Sequence, residues 1–316
     1  MSNNYKLIID GIELKNFGDL KWSDNIDGLS TKIEFSTTTK LNVGNHFTLS
    51  NGSKTILVGI IINESYDKNK FYQYTGFDYG FYLNKNEIVI QFNGCSAKDA
   101  ITQLLNKVEV PIGNIANIPI TVKKIYKKIV VSDILREILD DAFKKTGKKY
   151  SIKQNVEKVN IVQSKEILVN AFYDLSGQSI NITDTVSDFQ ASNSIENLKN
   201  KILVVDSGDK DIKILASATD ENSRAKYGLL QQIETPSDDD KSSKSIIAAN
   251  LLKELNQITE TRSVEMLGSD DVVSGVILVF DYPDLDFTGK YFVRQVNHSF
   301  DGTLRKMECD LVAYVG

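Results

Sequence analysis

The hydrophobic period changes twice along the chain. Residues 1–92 read as short β-rich runs, residues 93–168 switch to helical spacing, and residues 169–316 return to strands around one helix at about 243–257. An order of β, then α+β, then β lacks the βαβ rhythm of a parallel nucleotide-binding sheet. A single core stops growing at roughly 250–300 residues, so a chain of 316 is expected to hold two or three domains. Proline is excluded from central strands because it cannot donate to the ladder. Only 4 prolines occur here, against a usual share of about 5%, which fits a strand-rich protein without proline-rich linkers.

In the first region the runs are Tyr5 to Ile9, Ile12 to Leu14, Thr31 to Phe35, His46 to Leu49 and Thr55 to Ile62. Asp10-Gly11 and Asn51-Gly52 lie between them and favour tight hairpins, so a small barrel or sandwich is expected. Phe71 to Tyr82 is dense in aromatic residues. It suits a strand and turn whose rings pack on a barrel or at a subunit contact, with a stacking platform for sugars or bases as the sharper alternative.

In the second region Ser96 and Asp99 form a helix-start signature, followed by Ala97, Ala100, Ile101, Leu104, Leu105 and Val108 at helical spacing. Ser132 is expected to open a second helix with an apolar face of Ile134, Leu135, Ile138, Leu139, Ala142 and Phe143. Gly147 is placed for its C-terminal cap. In the third region Ile202 to Val205 and Ile212 to Ala216 flank Ser207-Gly208-Asp209, a hairpin, and Ser242 or Ser243 caps a helix with Ile247, Ala248, Leu251, Leu252 and Leu255.

Chemistry is sparse. The formal net charge of −5, with arginine only at 136, 224, 262, 294 and 305, offers no electrostatic attraction to nucleic acid and little bidentate phosphate recognition. Cys95 and Cys309 are too far apart for a metal or redox spacing and suit a reducing compartment. The N-terminal apolar run, Leu7-Ile8-Ile9, is too short for a secretory signal, and no stretch approaches the ~20 residues of a membrane span. His46 and His298 lack a partner spaced for metal binding or nucleophilic catalysis, and His298 is expected to be a hydrogen-bonded structural residue. Asp206, Asp209 and Asp211 lack calcium-loop spacing and read as a solvated hairpin tip. Asp238-Asp239-Asp240 reads as an exposed loop before a helix N-terminus. No catalytic, metal or cofactor site is expected.

Several stretches resemble one family. Ser132 to Leu139 continuing to Lys145 to Tyr150, Ser194 to Asn200, and Lys226-Tyr227-Gly228 are similar to the XkdQ/YqbQ-type phage tail proteins. So are Leu267-Gly268, Val273 with Gly275, Gly289 to Val293, and Val296 to Phe300; this last pattern also resembles the wider late-control-D class of baseplate hub proteins. Thr75 to Tyr79, running on to Leu83 to Asn86, fits the family's first domain.

The resemblance implies an α+β, mainly β chain with two tube-like β-barrel domains, at 1–92 and 169–316, around a small α+β domain at 93–168. It implies a homotrimeric baseplate hub in the virion or tail-like particle of a contractile phage or bacteriocin, assembled in the bacterial cytoplasm. The ring would adapt a sixfold tail tube protein above to a threefold spike protein below, beside other baseplate proteins, with DNA passing through its lumen. The implied role is structural and not enzymatic. The alternative is a cell-wall-binding or peptidoglycan-degrading tail protein, suggested by the aromatics around Tyr72 and Tyr74 and by the many acids.

Overall fold

The computed structural model describes residues 4–155, 157–164, 166–175, 177–206, 213–236 and 242–314. The first β region holds β1 (Tyr5–Ile9), β2 (Ile12–Glu13), β3 (Gly18–Asn25), β4 (Lys32–Thr37), β5 (His46–Asn51), β6 (Lys54–Tyr66) and β7 (Tyr72–Asp78). Asp10 and Gly11 join β1 to β2 with φ of 46° and 84°, the left-handed pair that a two-residue type I′ turn requires. Alternation sends Tyr5, Leu7 and Ile9 inward to meet Leu20, Trp22, Ile33, Phe35, Phe47 and Leu49 in one apolar cluster.

The chain then runs through α1 (Gly80–Lys85), β8 (Glu87–Ser96), α2 (Ala97–Lys107), β9 (Ile112–Ile115), β10 (Thr121–Val130), α3 (Val131–Thr146), β11 (Tyr150–Asn155) and β12 (Lys158–Gln163). The β8–β10 ribbon and the faces of α2 and α3 enclose a second cluster, which begins at Leu83, and β8 itself crosses residue 92. Ser96 caps α2 as expected, its Oγ accepting from the Asp99 N–H at 3.1 Å. Gly147 ends α3 in the left-handed conformation, with φ 69°. Ser132 does not open α3. The helix starts one residue earlier, and Ser132 is buried within it.

The remaining elements are β13 (Phe172–Leu175), β14 (Gln178–Asn181), β15 (Asp188–Ser194), β16 (Lys201–Val205), β17 (Ile214–Thr219), α4 (Glu221–Tyr227), β18 (Gln231–Glu234), α5 (Lys244–Leu255), β19 (Thr259–Leu267), β20 (Ile277–Tyr282), β21 (Phe287–Phe300) and β22 (Arg305–Ala313). The sequence reading places one helix here and misses α4, whose Asp220 cap accepts from the Ser223 N–H at 2.9 Å. Ser207-Gly208-Asp209, Asp211 and Asp238-Asp239-Asp240 lie outside the described residues.

One expectation is corrected by the sheet topology. The β regions are not two closed barrels. They share a 12-stranded antiparallel sheet, in the order β15-β19-β22-β21-β3-β4-β7-β6-β5-β1-β2, with β20 also on β21. The reason is a seam. The 14-residue β21 pairs β20 along its first half, and along its second half it pairs β3, from Gln295↔Asn25 to Phe300↔Leu20. That seam uses the β3 edge that a first barrel would need in order to close on itself. The helix expected at about 243–257 is present as α5. Helix α5 covers a separate sheet, β17-β16-β18, through Ile202, Val204, Ile247, Ala248 and Leu251, and packs against α3.

The loop between β3 and β4 fastens the middle unit to this sheet. Arg136 of α3 donates to the Asp27 carbonyl at 2.6 Å, while Arg294 of β21 reaches the Asp27 carboxylate at 2.6 Å. Lys153 of β11 donates to the Ser274 carbonyl at 2.5 Å, and the Ser274 N–H donates to Asp24 at 2.7 Å.

Candidate functional site

One face of the large sheet is polar and stays polar across the seam. Facing residues in an antiparallel ladder share a side, so the register defines rows. One row runs Gln190, Ser263, Asp310, Gln295 and Asn25; the next runs Asp188, Glu265, Glu308, Asn297, Ser23 and Lys32. A third runs Lys306, Ser299, Lys21, Glu34 and Thr75. All these side chains are exposed or half-buried. The Asn25 amide donates to Gln295 at 2.7 Å across the seam itself.

Carboxylates outnumber amines in these rows. Asp188, Glu265, Glu308, Asp310 and Glu34 face Lys21, Lys32 and Lys306. Hydrogen bonds from Lys306 and Ser187 hold the Glu265 carboxyl below its ordinary range. Glu265 nevertheless stands directly opposite Glu308, a like-charge pair that disfavours the sheet.

Behind the seam lies a buried ionic staple. Arg305 Nη1 meets Asp270 Oδ1 at 2.5 Å, the Tyr5 hydroxyl donates to the same carboxylate at 3.0 Å, and the Asn51 amide donates to it at 2.7 Å. The guanidinium lies over the rings of Trp22 and Tyr5, 5.1 and 5.6 Å from their centroids. This links β1, β3 and β5 of the first region to β22 and the loop after β19. Burial pushes the Tyr5 hydroxyl well above its ordinary range, so it remains a donor to Asp270.

His298 completes the staple. Its Nδ1 accepts from Arg305 Nη2 at 3.2 Å, its Nε2 lies 3.1 Å from the Val272 carbonyl, and its ring stacks on Trp22 at 4.9 Å. A carbonyl only accepts and a guanidinium only donates, so both bonds fit a neutral ring with its proton on Nε2. Burial, then the Arg305 charge, lowers its pKa well below the ordinary value. The ring is buried and hydrogen-bonded through both nitrogens, as a hydrogen-bonded histidine was expected to be.

The other residues singled out in the sequence do not assemble. His46 is exposed on β5, its N–H bonded to Asp10. Cys95 is half-buried and Cys309 buried; both are free, and burial raises the Cys309 thiol. Tyr72 and Tyr74 are buried, with Tyr74 stacked on Phe35, so neither ring is presented as a sugar platform. Asp206 pairs with the Lys213 backbone across the β16–β17 hairpin. Among the described residues no group of three His, Cys, Asp or Glu is placed to hold a metal, and no helix is long and apolar enough to cross a membrane. The sequence reading missed the polar rows and Arg305. The alternation in Arg305–Leu311 was a signal, but the partner strands are remote in sequence.

Comparison with known proteins places this architecture. The chain is 25% identical over 288 residues to the uncharacterized protein YqbQ of Bacillus subtilis, covering 87% of this chain and 85% of that one. It is 25% identical over 294 residues to the PBSX phage-like element protein XkdQ of the same organism, covering 89% and 87%. Its fold is shared with the 43 kDa tail protein of prophage MuSo2 from Shewanella oneidensis, with a TM-score of 0.73 at 11% identity over 98% and 97% of the two chains. The sequence profile of the YQBQ-like family matches residues 20–312, and the chain belongs to that family.

Proposed function

We propose that this protein is a structural component of a phage tail or tail-like particle and serves as its baseplate hub. The observation that carries the reading is the polar sheet face, unbroken across the β3–β21 seam. A scaffold that bordered a solvent-filled passage would need such a wall. An excess of carboxylates would keep the phosphate backbone of passing DNA from adhering, by like-charge repulsion. Kinship with XkdQ and the fold of a prophage tail protein support the tail assignment.

In this reading three copies form the ring, each contributing one wide open sheet instead of two separate barrels. The ring meets the tail tube above and the spike below, in the company of other baseplate proteins, and matches sixfold to threefold symmetry. Within each copy we propose three parts: a first β domain, the middle α+β domain at about 93–168, and a last β domain. The staple holds the two β parts of the wall in register, and the middle unit braces them from outside. The chain acts by geometry and carries out no reaction.

Purified tail particles test this. The account expects the protein among the particle's components, and light scattering with electron microscopy should show it joining its tube and spike partners. Its absence from the particles would contradict the proposal, as would peptidoglycan cleavage by the purified chain.

A further inference from the structure

The β8–β10 ribbon buries one face on α1, α2 and α3 and leaves Val89, Gln91, Ile125 and Lys127 of the other exposed. Register sets Val89 opposite Lys127 and Gln91 opposite Ile125, so these four share the open face. Val89 is 63% exposed and Ile125 54%. Lys124 is neutralised by Glu137 at 2.5 Å, whereas no carboxylate lies within ion-pair distance of Lys127 or Lys128 among the described residues. Lys128 is turned out by a bulge, with φ 57°.

The charge imbalance extends beyond the ribbon. Residues 83–161 contain 14 Lys+Arg and 8 Asp+Glu, in a chain that totals 37 and 42. The middle unit is therefore cationic, and the rest of the same chain supplies the complementary charge. An apolar pair within a cationic rim selects an anionic surface with an apolar centre. The turn between β20 and β21 combines these features: Asp281, Asp284 and Asp286 are exposed and flank Leu285 in sequence, and Leu285 is 43% exposed. That hairpin packs on the Ile182–Asp184 turn and its own sheet.

We propose that the β8–β10 ribbon of one copy receives the β20–β21 turn of a second copy. Leu285 seats on Val89 and Ile125, and the three aspartates face Lys127 and Lys128. A contact between unlike patches of identical chains repeats head to tail and closes into a ring when its rotation allows. The proposal rests on the multi-copy reading above and names the contact that joins neighbours.

Sedimentation of the full chain, with the variants Lys127→Glu/Lys128→Glu and Asp284→Lys/Asp286→Lys, provides the test. Wild-type self-association should weaken at least about tenfold between about 50 and about 500 mM salt as the charges are screened. Each variant alone should associate at least about tenfold more weakly, and an equimolar mixture of the two should recover pairwise association, which a misfolded variant could not do, with one like-charge contact left in any three-membered ring. Unchanged association in either variant, no recovery on mixing, or no wild-type association would overturn the contact. Particle composition separates this from the hub reading. Wild type and both variants incorporated equally would remove the contact and leave the hub, whereas absence of the wild type would remove both.

Discussion

Arg305 and Asp270 form a buried ion pair at 2.5 Å, with side chains 2% and 12% exposed, and it ties the last strand to the loop after β19 beneath Tyr5 of the first. Removing one partner of such a pair strands the other charge in a low-dielectric site. Asp270→Asn should therefore destabilise by about 3–5 kcal/mol in urea unfolding. Arg305→Met combined with Asp270→Asn should cost less than the two singles summed, by at least about 1 kcal/mol. Additive costs would show that the pair is not coupled.

Gly268 lies against the same arginine. A Cβ built there would stand 2.5 Å from Arg305 Cγ and 2.7 Å from Nε, near the root of a side chain held by Asp270 and His298. Gly268→Ala should cost about 1–3 kcal/mol through overpacking. In the Arg305→Met background most of that cost should disappear, and an equal cost in both backgrounds would point elsewhere.

Acidification acts through His298. Its folded pKa is depressed, so its contribution to stability is complete above the ordinary value of 6.5 and is lost as pH falls below it. Trp22, the only tryptophan, stacks on that ring and reports the loss. Unfolding midpoints followed by its fluorescence should fall between about pH 6.5 and 5 and fall less in His298→Gln. An identical slope in the variant would contradict the assignment.

Asp78 carries the opposite dependence. Burial raises its pKa to about 7, although the Thr31 and Gly80 N–H groups, each at 2.9 Å, favour the charged form. Its folded pKa exceeds its unfolded value of 3.8, so its contribution is complete below that value and is lost as pH rises towards 7. Asp78→Asn should remove this opposing slope and steepen the acid sensitivity set by His298. A shallower dependence in the variant would reverse the sign and refute the argument.

The like-charge pair on the polar face gives a fifth check. Glu308→Lys places a cation opposite Glu265 and should stabilise the chain by about 0.2–1 kcal/mol. No gain, or a loss, would mean that Lys306 already neutralises the site.

How much of this was legible in the sequence follows from how local each cause is. Asp10-Gly11, Ser96 with Asp99, and Gly147 act over a few residues and fold as their chemistry dictates. Strand β3 could not be seen. Only Leu20 and Trp22 mark its buried face, and its seam partner β21 lies more than two hundred residues away. Closure into two barrels was implied by the family resemblance, while the short strands left barrel or sandwich open; the pairing of one edge decides it. The staple was opaque for the same reason, since Tyr5 and Arg305 stand at opposite ends of the sequence and meet only in the folded chain. His298 is hydrogen-bonded as expected, yet nothing near it in sequence foretold Trp22.

The central claim is that the polar face of the shared sheet lines the passage of an assembled hub. A three-dimensional reconstruction of the purified tail particle tests it most directly. The account predicts this chain in a ring where tube meets spike, with Gln190, Ser263, Asp310, Gln295 and Asn25 turned towards the central axis. Density that puts those residues on the outer surface, or that places the chain away from the axis, would contradict it.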